Sequence, residues 1–136
     1  MPICHKLHPE GASAESYDGK QGFTYTAGIS AQSVGSSGIC MHMLAIPPGG
    51  RARAHKHATH ETAIYMLEGV TVMYWGAALE HRMEVAAGEM LYIPADMPHL
   101  PFNPGPGTAR AVIARTDPDE QESVVLLPHL EALVPA

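Results

Sequence analysis

The sequence predicts an all-β domain, a two-sheet sandwich or a barrel, on three observations. Short runs rich in Val, Ile, Thr, Tyr and Met recur at the roughly 8–12-residue spacing of antiparallel strands. The 136 residues include 13 glycines and 12 prolines, enough to punctuate every such run with a turn. Helical surfaces draw freely on Lys and Glu, whereas Lys and Arg together number only 8.

Taken in order, residues 1–22 are polar and irregular and read as an N-terminal arm carrying at most one strand. Residues 23–30 form the first clear run, and 39–46 the next, closed by Pro47-Pro48-Gly49-Gly50. Residues 52–57 and 62–67 follow, and Glu68-Gly69 is a tight turn into 70–75. Gly76-Ala77-Ala78 turns into 80–85, and Ala87-Gly88 into 90–93. Pro94-Ala95-Asp96-Met97-Pro98 is a rigid turn that delivers 99–103. Residues 109–116 and 124–127 complete the strands, and 128–134 read as a short helix with Pro128 in its first turn. Several runs, Ile39-Cys40-Met41-His42-Met43-Leu44 among them, are apolar on both faces, which calls for a partner on the outer side of one sheet.

One domain accounts for residues 1–136, because two would each fall near 70 residues, where a core is hard to sustain. The formal net charge of −6 argues against a nucleic-acid binder, which needs a basic face for phosphates, and against a polybasic membrane-surface protein. No stretch approaches the roughly 20 apolar residues of a membrane helix. The N-terminus lacks a signal-peptide pattern, and Cys4 and Cys40 make no CxxC site, so the protein is expected in the cytoplasm with both thiols reduced.

Histidine is the unusual residue, nine against eight Lys and Arg combined. In His55-Lys56-His57-Ala58-Thr59-His60-Glu61 the first two imidazoles stand two apart, on one face of a strand. Neutral imidazole is the commonest metal ligand. His60 and Glu61 both offer to join them, and His99 follows the rigid turn. Three imidazoles and a carboxylate suit a divalent first-row transition metal. No activated Ser or Cys nucleophile, Walker motif or dinucleotide fingerprint is present.

These residues resemble the cupins. The first cupin motif, G-x5-H-x-H-x3,4-E-x6-G, is met at residues 49–69 by Gly49, His55, His57, Glu61 and Gly69. The second, G-x5-P-x-G-x2-H-x3-N, is met at residues 88–103 by Gly88, Pro94, His99 and Asn103, with Asp96 in place of glycine. Asp tolerates positive φ better than most residues, so the turn should survive. The resemblance implies an antiparallel double-sheet jelly-roll β-barrel and one divalent metal ion, iron, manganese, nickel or zinc, held by His55, His57, Glu61 and His99. Seven residues separate Glu61 from Gly69 where the motif has six. Counting back from Gly69 therefore puts Thr62 in the ligand position, unless a bulge at 58–61 restores the register. His60 is then an alternative ligand or, if free, an acid/base residue.

Cupins include dioxygenases, isomerases, decarboxylases, lyases and non-enzymatic binders. The leading expectation is a metal-dependent enzyme, dioxygenase-like, acting on a small oxygenated organic substrate. A redox-neutral isomerase or lyase, and a non-catalytic binder of metal and small ligand, are the alternatives. Arg51 and Arg53 are candidates to pair a carboxylate at the mouth or to face solvent. His42, Tyr65 and Trp75 are candidates for pocket walls or for packing. A homodimer is expected, with no nucleic acid or membrane partner.

Overall fold

The computed structural model describes residues 3–9, 16–18, 23–119 and 123–135. Its strands are β1 (Ser16–Asp18), β2 (Thr24–Ile29), β3 (Cys40–Ile46), β4 (His55–His57), β5 (Thr62–Glu68) and β6 (Val70–Trp75). They continue with β7 (His81–Ala86), β8 (Met90–Ile93), β9 (His99–Phe102), β10 (Ala109–Arg115) and β11 (Val124–Leu126). A single helical turn, α1 (Ala31–Val34), follows β2, and a 3-10 helix (Pro128–Leu133) ends the chain. Of the N-terminal arm, residues 10–15 and 19–22 lie outside the described residues, while β1 pairs with β2.

The strands form two antiparallel sheets, a large one in the order β1-β2-β3-β10-β5-β8 and a small one in the order β11-β4-β9-β6-β7. They face one another as a jelly-roll sandwich. No ladder joins their edges among the described residues, so the closure of a full barrel is not formed, and β7 and β8 end the two sheets on one side. The core between them comes from strict alternation. On β10, Ala109, Ala111, Ile113 and Arg115 are buried while the residues between them are partly exposed. With Phe23, Tyr25, Leu44, Ile46, Met66 and Val85, the apolar members of that row make the main core.

The turn after β2 departs from the sequence reading, which had no helix there. Ser30 caps α1 by accepting from Ser33 N–H while Ser33 Oγ accepts from Ser30 N–H, and Gly35 ends it at φ 73°. Gly69 is required by the β5–β6 turn. Its φ is +78°, and a Cβ there would stand 2.9 Å from Ala109 Cα and from Thr108 O, both backbone atoms. Gly69→Ala is expected to cost about 2 kcal/mol or more from the left-handed backbone and this clash, read as a lower Tm in thermal unfolding.

The outer faces differ. On the small sheet, Leu130 and Val134 of the C-terminal segment pack on Ala54, Leu79 and Leu100. Arg51 holds that segment through carbonyls of Glu131 (2.7 Å), Val134 (3.3 Å) and Pro135 (2.9 Å). On the large sheet, two cross-strand rows, Met43–Val112–Tyr65–Met90 and Met41–Ala114–Ala63–Tyr92, lie outward, with Met41, Tyr65, Met90 and Tyr92 exposed.

Candidate metal centre

The small sheet builds the centre. β4 places His55 and His57 on its inner face, and His55 pairs directly with His99 on β9. The Pro94–Pro98 turn is pinned over β4: Asp96 N–H donates to His57 O at 2.8 Å, and Lys56 Nζ meets Asp96 Oδ1 at 2.7 Å. Asp96 takes the positive φ, 64°, that the motif's glycine would. One ligand atom from each of His55, His57 and His99 lies within 4.8 Å of the others, and all three residues are buried.

The tautomers follow from the partners. His55 Nδ1–H donates to Arg53 O (2.7 Å) and His99 Nδ1–H to Met97 O (2.8 Å), since carbonyls only accept. Each Nε2 is thereby left with a lone pair, the arrangement that orients metal-binding imidazoles. Neither ring nitrogen of the buried His57 has a hydrogen-bond partner. Burial, reinforced by the positive charge of Arg115, holds all three imidazoles below the usual histidine range, His99 down to about 4, so they are neutral at pH 7. The donor set fits a divalent transition metal.

Glu61 is not brought to this group. It is exposed, and its Oε1 accepts from Tyr92 O–H at 2.7 Å. After His57 the chain leaves the small sheet, bends through 58–61 and enters β5 of the large sheet. No bulge is formed there, and alternation does not carry from His57 to Glu61. Thr62 takes the inward position, buried and paired with Arg115 on β10 and Ile93 on β8.

His60 is buried behind His57, ring centroids 4.6 Å apart. Its Nδ1–H donates to Asp117 Oδ2 at 3.2 Å with Ser123 Oγ at 2.7 Å from the same nitrogen, and its Nε2 is buried without a partner. Arg51 turns to the C-terminal carbonyls and Arg53 is exposed, so neither lines the interior. The interior cation is Arg115, which the sequence reading missed. Its Nη1 donates to His42 Nε2 at 3.3 Å. The signal was available, because Arg115 sits two residues beyond Ile113 in the inward row of β10. His42 is buried and pushed down to about 3, by burial first and Arg115 second. Tyr65 faces outward, and Trp75 lines a cavity beside His99.

The cupin-domain family matches residues 42–114, more than half of the chain. The chain belongs to the cupin family. Solved structures agree in fold. The polyketide cyclase RemF from Streptomyces resistomycificus superposes on this cupin with a TM-score of 0.74 at 23% identity, covering 98% of this chain and 95% of that one. Oxalate oxidase in complex with the substrate analogue glycolate gives 0.65 at 21% identity, over 75% of this cupin and 54% of the oxidase, so this chain spans about half its length. A putative sugar phosphate isomerase from Acidithiobacillus ferrooxidans gives 0.60 at 20% identity, over 76% and 67%. No curated protein matches the sequence. Among the described residues, no helix is long and apolar enough to cross a membrane.

Proposed function

We propose that this cupin is a metal-dependent enzyme that acts on a small oxygenated organic molecule without net redox change, as a cyclase, isomerase or lyase does. The observation that carries this reading is the donor set, three buried neutral imidazoles grouped, with no carboxylate joining them among the described residues. His55, His57 and His99 would hold a divalent ion, which would supply Lewis-acid polarisation of a substrate oxygen, its charge undiminished by any anionic ligand from the described residues. The carbonyls of Arg53 and Met97 fix His55 and His99 in the ligating tautomer. The Arg115 guanidinium disfavours protonation of the whole cluster. His60, held at Nδ1–H by Asp117, presents its Nε2 lone pair as a proton acceptor. The polyketide cyclase, alike over nearly both whole chains, supports redox-neutral chemistry at this site.

The dioxygenase-like reading is the second, because imidazoles also hold iron and nickel and oxalate oxidase shares the fold. Zinc-loaded protein given 1,3-dicarbonyl and catecholic compounds in an oxygen electrode is expected to form product with no oxygen uptake. Turnover only after iron, manganese or nickel loading, with stoichiometric oxygen consumption, would select the dioxygenase.

The homodimer rests on the outer face of the large sheet. A second copy would cover the rows through Tyr65 and Met90, as the C-terminal segment covers the small sheet. Light scattering at micromolar concentration is expected to give twice the 14.5 kDa chain mass. Tyr65→Lys combined with Met90→Lys should halve it, and a monomeric wild type would remove the dimer.

A further inference from the structure

The cavity inside the sandwich at His55 and Arg115 measures about 40 Å³, room for a few water molecules at roughly 10–15 Å³ each on the same measure. A ring-sized molecule needs more room. A second cavity of about 170 Å³ lies on the side where the two sheets end in β7 and β8, and it reaches His99. Its walls are Met73 and Trp75 from β6, Met83 from β7, Leu91 from β8, and Pro94 and Met97 from the turn.

Size and chemistry of this slot are specific. An apolar cavity of about 150 Å³ takes up benzene, so about 170 Å³ accommodates one six-membered ring with a small substituent. Three methionines surround it, and thioether sulfur makes favourable contacts with aromatic rings. Besides His99 and Tyr92, whose hydroxyl is bonded to Glu61, the polar handle on the wall is Trp75. It pairs directly with His99 across β6 and β9, so both side chains project to the same side of the sheet. His81 stacks on it with centroids 4.3 Å apart at 27°. Its Nε1–H is buried and has no hydrogen-bond partner among the described residues. A donor held rigid and dry beside a candidate metal ligand is placed to serve a bound molecule.

We propose that this slot is the subsite for the body of the substrate, one aromatic or equally flat six-membered ring bearing oxygen, with Trp75 Nε1–H donating to a ring oxygen while the neighbouring ring position faces His99. The proposal deepens the metal-enzyme reading, and for the position of the second oxygen it rests on it. Trp75 is a specificity residue here.

Trp75 is the chain's single tryptophan, so one indole N–H cross-peak reports the slot. Catechol titrated into zinc-loaded, 15N-labelled protein should move that peak saturably, together with the methyl signals of Met73, Met83 and Met97. Met97→Trp, which fills the slot, should abolish the shift, and Met83→Phe gives the same test with a smaller change of volume. 1,2-Hexanediol, which keeps adjacent oxygens without a ring, should bind at least about tenfold more weakly, given what one buried ring contributes. Trp75→Phe, followed by calorimetry, should weaken catechol about fivefold, the weight of one hydrogen bond. Metal-free protein separates the two readings: methyl shifts that persist without metal uphold the slot even if the metal site fails. Stoichiometric zinc with no catechol shift, or a diol that binds as tightly as catechol, overturns the slot and leaves the metal site standing.

Discussion

Replacing His57 or His99 by alanine is expected to strip metal from the purified protein while the fold remains. Wild type prepared without chelator or nickel resin should carry near-stoichiometric metal by elemental mass spectrometry. Each ligand supplies one of the three donors grouped among the described residues. Its loss should lower affinity by more than the roughly 10–100-fold that removal of a supporting hydrogen-bond partner costs. Zinc would favour the redox-neutral reading, and iron, manganese or nickel the oxidative one. Glu61→Gln is the informative control. Its carboxylate is exposed and bonded to Tyr92, so metal content should not change. Loss of metal in Glu61→Gln would return that residue to the ligand set. Wild type without metal, yet folded, would end the enzyme reading.

Asn103→Ala should be the most damaging substitution away from the histidines. The side chain is fully buried, and its Nδ2 donates to the carbonyls of Ile46 (2.9 Å), Pro47 (3.2 Å) and Gly107 (2.9 Å). Its Oδ1 accepts from Gly105 N–H at 2.9 Å. Alanine strips a donor from the Ile46 and Gly107 carbonyls and the acceptor from Gly105 N–H, while Pro47 O keeps Gly50 N–H, at a cost of about 3 kcal/mol. Thermal unfolding should show a Tm lower by about 10 °C. A shift below about 2 °C would mean that water replaces the amide. The clamp ties the end of β3 to the loop before β10, and both strands belong to the large sheet, so metal content should be spared in the folded fraction.

Most strands were legible because Gly or Pro stands near one end or both, and 109–115 also alternates cleanly. His55 and His57 were legible because parity holds within one strand, and His99 because a rigid turn precedes it. Parity failed at Glu61 and Thr62, where the chain changes sheets and periodicity no longer relates the two sides. Arg115 was overlooked because it lies far along the chain from both motifs, and only the three-dimensional pairing of β10 with β5 brings it to Thr62. The helical turn at α1 was hidden by its serines, which look like loop residues until they cap one another.

All three candidate ligands belong to the small sheet, whereas the ring-sized slot lies between that sheet and β8 of the large one. A change in the spacing of the two layers would widen or narrow the slot without stretching the ligand triangle. The layout decouples what the centre holds from what the centre sees. Changes at Leu91 or in the Met83 region can exchange one guest for another while the ion stays in place. A scaffold arranged this way can change its chemistry by altering one wall at a time.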